Sequence, residues 1–189
     1  KRILNLFKTQ FHASPYMEKY VMEALFVMGE GEYALERTKK RFEEMVNAPN
    51  HTTLYEGWGI GKKGFGGGTT NHAWSGGAQI VISQHLFGIK PLEVGYKTFL
   101  IEPCPASFTS GTLSFPTVRG TISASFKNNP EEFSMKLHIP KGTTAIVRLS
   151  EQGVIRINGK QKKATTFKLV AGKYTIYSAH LSTSASSTN

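Results

Sequence analysis

Residues 132–149, EFSMKLHIPKGTTAIVRL, decide the fold of the second half of this chain. Phe133, Met135, Leu137 and Ile139 alternate with Ser134, Lys136 and His138, the period of a strand with one apolar and one wet face. Pro140-Lys141-Gly142 then reads as a turn. The same pattern spreads outward from this stretch, predicting strands near 96–101, 113–118, 120–127, 132–139, 143–149, 153–158, 165–170 and 173–178. Further turns fall at Asn128-Asn129-Pro130, Asn158-Gly159 and Ala171-Gly172. Short strands at this spacing predict an antiparallel β-sandwich over residues 93–180. Leu181 to Asn189 is almost all Ser, Thr and Ala and reads as a disordered tail.

The first half has a different period. Ser14 is a good N-cap, Pro15 suits the first helical position, and Met17, Tyr20, Val21, Ala24, Leu25 and Met28 recur at steps of three and four before Gly29. A second helix is expected from about Glu32 to Val46, with Glu36, Lys39, Lys40 and Glu43 on a solvated face. A third is expected from about Ala73 to Phe87, ending at Gly88. Its apolar residues Trp74, Ile80, Val81, Ile82, Leu86 and Phe87 cover more than one face, which three helices alone cannot bury. Residues 1–92 therefore read as the end of a larger helical array, with its earlier helices upstream of Lys1. The expected class is an α+β multidomain fragment. Without that upstream segment its apolar helix faces would be partly uncovered, giving self-association as a homo-oligomer or cover by the sandwich.

Composition narrows the chemistry. With 189 residues and 39% hydrophobic content a core is assured. All 13 acidic residues are Glu, so triads or metal sites built on Asp are excluded. Cys104 is the only cysteine, which rules out an intramolecular disulfide and a cysteine zinc site. Of the formal charge of +10, residues 1–90 carry 11 Lys and Arg against 8 Glu, and residues 91–189 carry 12 against 5. The excess lies in the strand half, as dispersed lysines among alternating segments rather than a cluster with interleaved aromatics. This argues for solubilised strands and against nucleic acid. No apolar run approaches the 18 or so residues of a membrane helix, so no membrane partner is expected.

The stretch His51 to Trp74, HTTLYEGWGIGKKGFGGGTTNHAW, carries the chemistry. Glu56 stands between Tyr55 and Trp58, glycines follow at 57, 59, 61, 64, 66, 67 and 68, and Asn71, His72 and Trp74 lead into the third helix. Aromatic faces pack on the apolar side of a pyranose and a carboxylate handles protons, so this pattern suits sugar chemistry. The plainer alternative is a solvated loop glutamate beside core aromatics, and for His72 a residue at a helix start bonding the backbone. Trp74, one helical step inside, reads as core. Gly59, Gly61 and Gly64 spell G-x-G-x-x-G, but neither a preceding apolar strand nor a helix starting on the glycines is present, so a dinucleotide loop is rejected.

In their order, SPYMEKYVMEAL (14–25), TTLYEGWG (52–59), NHAWSGG (71–77), FGIKPLEVGYKTFLIEPCP (87–105) and SFPTVRGTISASF (114–126) resemble the C-terminal portion of the bacterial α-L-rhamnosidases of glycoside hydrolase family seventy-eight. The resemblance runs from about Ser14 to Phe126. It implies that residues 1–92 are the last helices of an (α/α)6 barrel and that a β-sandwich follows. It also implies an inverting exo-glycosidase acting on terminal non-reducing α-L-rhamnose of a glycan or glycoside, with no cofactor and no metal. Glu56 would be the general base, and Trp58, His72 and Tyr55, the last in place of the family's more usual tryptophan, would shape the sugar site. The general acid would lie upstream, so the chain alone is expected to be inactive. A second class remains open: a non-catalytic module that binds carbohydrate or docks on a neighbouring domain.

Overall fold

A computed structural model describes residues 2–60, 68–149 and 153–179. The expected tail at 181–189 and most of the glycine run lie outside the described residues. The chain is α+β and divides into two compact units between His85 and Leu86.

The helical unit opens with α1 (Arg2–Thr9), which the sequence reading missed, followed by α2 (Pro15–Val27) and α3 (Gly31–Val46). The Ser14 hydroxyl accepts the Met17 N–H at 3.3 Å and Pro15 begins the helix, so the cap forms as its residue types dictate. Gly29, at φ +79°, turns the chain into α3. Met22, Leu25 and Phe26 of α2 and Ala34, Leu35, Phe42 and Met45 of α3 are buried, and Glu36, Lys39, Lys40 and Glu43 stay exposed.

The third helix is not continuous. Ala73–Gly76 is a 3₁₀ turn, α4 spans only Gly77–Val81, and Ile82–Leu86 is a π-helical turn. Ser75 is fully buried and its hydroxyl donates to Tyr55 O at 2.6 Å, which anchors the start of this segment. Gly77 presses on α2 so closely that a Cβ there would lie 2.7 Å from Lys19 Cβ. Two consecutive glycines and this tight approach explain why regular helix gives way. Trp74 and Ile80 are exposed rather than buried, a departure from the expected two-sided core helix. Ile3, Leu6, Val27 and Val46 are exposed as well.

At the centre of this unit is a charge. Glu18 is fully buried and receives both Nε and Nη2 of Arg37, the latter at 3.2 Å, with Arg41 Nε 3.5 Å away. Arg37 Nη1 also donates to Phe7 O and, at 3.4 Å, to Gln10 O, while Arg41 Nη2 donates to Ala13 O at 2.6 Å. Burial pulls the Arg37 guanidinium down, but bonding and charge from Glu18 outweigh it and its pKa is raised; for Arg41 burial wins and the pKa is lowered.

The second unit holds one eight-stranded sheet: β1 (Ile89–Pro91), β2 (Thr98–Ile101), β3 (Ser110–Thr117), β4 (Gly120–Asn128), β5 (Glu132–Arg148), β6 (Ile155–Ile157), β7 (Lys160–Lys162) and β8 (Thr166–Ala179). The expectation of a purely antiparallel arrangement needs correcting at one pair, since β2 runs parallel to β5 from Thr98↔Thr144 to Ile101↔Val147. The expected strands 132–139 and 143–149 are one strand, β5, and 165–170 and 173–178 are one strand, β8. Pro140-Lys141-Gly142 and Ala171-Gly172 are not hairpins but a register shift between Ile139 and Thr144 where the two long strands pair. Before the shift β5 pairs with β4, after it with β2, and β8 covers its other edge throughout. Phe133, Met135, Leu137, Ile139, Ala145 and Val147 of β5 are buried with Phe99, Ile101, Ile122, Phe126 and Ile176.

The buried charge gives a sharp test of the helical unit. Glu18→Leu leaves the Arg37 guanidinium buried without its carboxylate and is expected to destabilise this unit by about 3–5 kcal/mol. The exposed Glu36→Leu control should stay within about 0.5 kcal/mol. Denaturant unfolding of the two variants, followed by helix content, checks the difference.

Candidate active site

The loop that carries Glu56 is held as a short two-stranded ladder. Glu56 N–H donates to Thr69 O at 2.9 Å, His72 N–H donates to Leu54 O at 2.8 Å, and the Thr53 hydroxyl donates to Thr70 O. Gly68 enters this ladder at φ +97°, where a Cβ would run into the Ile60 side chain, so the position requires glycine twice over.

The Glu56 carboxylate is bound through one oxygen. Oε2 accepts the Thr69 N–H at 3.0 Å and the Thr69 hydroxyl at 3.3 Å, and lies 3.7 Å from His72 Nδ1. Thr69 Oγ1 is also 2.9 Å from His72 Nδ1. With the proton on Nδ1 these contacts form a consistent relay: imidazole N–H to threonine oxygen, threonine O–H to carboxylate. Among the described residues Oε1 accepts no hydrogen bond. The side chains of Glu56 and His72 are 36% and 33% exposed, so water reaches both.

The aromatics sort differently from the sequence reading. Tyr55 is only 5% exposed and packs with Phe42, Met45 and Ile60. Trp58 lies edge-on to Phe42 at 5.1 Å, takes the Arg41 guanidinium over its ring at 4.2 Å, and donates its indole N–H to Ala13 O at 2.7 Å. Both border a cavity of about 280 Å³ with Phe11 and Arg41. The ring beside the carboxylate relay is Trp74, whose indole N–H donates to Glu56 O at 3.3 Å. It is 44% exposed, 4.3 Å from the His72 ring and 5.3 Å from Tyr16. The structure thus brings Glu56 and His72 together and turns Tyr55 and Trp58 into packing. It adds Thr69 and Trp74, which sequence reasoning did not assign to the site. A hydroxyl three residues before His72 was the available signal for Thr69. Among the described residues no group of three or more His, Cys or Glu is placed to hold a metal.

Helices ending in a polar carboxylate loop, followed by a mixed β-sheet unit, define an α+β chain with a candidate acid–base site in its helical unit. Residues 88–164 match the family described as bacterial alpha-L-rhamnosidase C-terminal domain. That match covers β1 to β7 of the sheet unit but not β8, and Glu56 and His72 lie outside it. The chain is 29% identical over 104 residues to an α-L-rhamnosidase of Formosa agariphila, a match that takes in 52% of this chain and 11% of that protein. It superposes on the α-L-rhamnosidase structure from Dictyoglumus thermophilum with a TM-score of 0.78 at 20% identity, over 95% of this chain and 23% of that one. It superposes on that from Aspergillus terreus with a TM-score of 0.71 at 20% identity, over 94% and 21%. The chain is thus similar to the C-terminal portion of α-L-rhamnosidases, in line with the resemblance read from its sequence. It spans about a tenth of the curated relative and under a quarter of the solved ones.

The ladder makes a residue-level expectation. Glu56→Ala removes the acceptor of the Thr69 amide but not that of the His72 amide. Hydrogen exchange at Thr69 should therefore accelerate about tenfold, the worth of a hydrogen bond to a charged group, while exchange at His72 stays nearly unchanged. Amide-resolved NMR exchange reads both.

Proposed function

We infer that this chain supplies the general base of an inverting exo-glycosidase that releases terminal, non-reducing α-L-rhamnose from rhamnosides. The observation that carries the reading is the Glu56 carboxylate, held by Thr69 and His72 through Oε2, with Oε1 accepting no hydrogen bond among the described residues and both side chains about a third exposed. Inversion needs a base on one face of the anomeric carbon to activate water and a protonated acid on the other, the two roughly 6.5–9.5 Å apart. Oε1 of Glu56 is the atom that takes the proton. His72, through Thr69, keeps the other oxygen in place, and Trp74 offers a ring face to the apolar side of the sugar. Tyr55 and Trp58 act on the sugar indirectly, by fixing the loop from beneath.

The acid comes from outside this chain. Among the described residues no carboxylate pairs with Glu56, and the remaining glutamates of the helical unit lie on α2 or α3 or, for Glu30, between them and paired with Lys8. The apolar side chains that this unit leaves exposed support an upstream helical segment of the same protein closing over them. The (α/α)6 barrel follows from that reading, as does a rhamnose-bearing substrate from the α-L-rhamnosidases the chain is similar to.

Two measurements test this. In the longer enzyme, Glu56→Gln keeps shape and hydrogen bonding but cannot take a proton. Turnover of a rhamnoside should fall about 100-fold to 10,000-fold with little change in substrate binding. Near-normal turnover would sink the assignment. The 189 residues alone should release nothing from an aryl α-L-rhamnoside, even one whose leaving group needs little protonation. Steady turnover abolished by Glu56→Gln would show instead that both catalytic groups reside in this chain.

A further inference from the structure

The outward face of the sheet unit carries a concentration of cations with no matching acid. Cross-strand register places Ser114, Ser123, His138 and Lys173 in one row over β3, β4, β5 and β8, and Thr112, Ser125, Lys136 and Thr175 in the next. Ser110, Lys127, Ser134 and Tyr177 form the following row. All of these positions alternate with the buried Ile122, Ala124, Met135, Leu137 and Ile176, so the side chains stand on the solvent side. Lys136 and Lys173 therefore sit on two adjacent strands as diagonal neighbours, where like charges repel, with the His138 ring directly opposite Lys173. Among the described residues no carboxylate pairs with Lys127, Lys136, His138 or Lys173. An acid marks the edge of the patch: burial first, then Glu132 at the start of β5, raises the Tyr177 phenol of β8.

The same surface is concave and rich in hydroxyls. A cavity of about 450 Å³ runs over the four strands, lined among others by Ser114, Ser125, Lys136, His138, Lys173 and Thr175. Short hydroxyl side chains between cations provide donors and acceptors for sugar hydroxyls around a central anion. Binding of nucleic acid would call for aromatic faces on which bases stack. Here the lining holds two separate rings, His138 and Tyr174, the latter with its hydroxyl turned to Val170 O at 3.0 Å, and no run of aromatics.

We propose that this face is a binding shelf for an anionic glycan, one whose sugars bear carboxylates or sulfate esters. Such a ligand supplies the charge that the patch lacks and the hydroxyls that its serines and threonines match. The shelf does not depend on Glu56, so it adds a glycan-holding function to the sheet unit whatever the helical unit does.

The test titrates the 189-residue chain with polygalacturonate, with dextran sulfate and with neutral dextran at about 0.15 M salt, where exposed charges are largely screened beyond about 8 Å. Affinity electrophoresis and calorimetry serve as readouts, and duplex DNA is a fourth arm. At least one anionic glycan should bind and neutral dextran should not; comparing the first two arms identifies carboxylate or sulfate as the recognised group. K136Q/K173Q changes only exposed positions and should weaken binding at least tenfold. K39Q/K97Q removes the same charge elsewhere and should leave binding within about twofold. The proposal is overturned if neither anionic glycan binds, if both double variants lose affinity equally, or if DNA binds as tightly as the glycan.

Discussion

The Glu18 carboxylate is the constraint on which the helical unit depends. An ionised group without access to water must be met by charge and hydrogen bonds in full, and Glu18 is met by two arginines from α3. Those arginines have donors to spare, and the spare donors organise the chain around them. Arg37 reaches Phe7 O and Gln10 O, tying down the end of α1 and the link to α2. Arg41 reaches Ala13 O, the same carbonyl that accepts the Trp58 indole, and lies over the Trp58 ring. The loop bearing Glu56 is thereby pinned two residues from its carboxylate by contacts that begin at Glu18.

In the sheet unit the comparable constraint is geometric. β5 and β8 are long enough to serve two sets of partners, and the register shift at Ile139/Thr144 is where the partners change. Alternation keeps the same parity buried on both sides of the shift, from Phe133 through Ile139 and again from Thr143 through Val147. The outward parity is therefore continuous too. Neighbouring strands can align polar side chains in rows across four strands, which a slip of one residue would reverse.

Period carried most of what could be read without coordinates. Strand positions followed the alternation closely, and the Ser14-Pro15 start of α2 followed from cap chemistry. Turn residues misled at Pro140-Lys141-Gly142 and Ala171-Gly172, because the signals that make a hairpin also make a bulge, and only long-range pairing distinguishes them. β1 and β7 are too short to show a period, whereas α1 does carry helical spacing at Ile3, Leu6 and Phe7 but over only eight residues. The third helix failed for a local reason, the paired glycines against α2. In the site, Glu56 and His72 were legible as residue types. The Thr69 link between them depends on a ladder formed across seven undescribed residues, and the exchange of places between Trp58 and Trp74 depends on a cation and a carbonyl, Arg41 and Ala13 O, far from both in sequence.

A carboxylate that is to receive a proton from water faces two opposed demands. It must be fixed, since a freely rotating side chain loses most of the advantage of position, and it must keep a lone pair unused. Fixing both oxygens would satisfy the first demand and defeat the second. Under the proposed role Glu56 would meet the two by division: among the described residues the donors converge on Oε2 and none reaches Oε1. The backbone amide among those donors belongs to the same residue whose carbonyl accepts the Glu56 N–H. One residue, Thr69, therefore holds both the main chain and the side chain of Glu56, and a shift of either strand of the ladder would carry carboxylate and donors together.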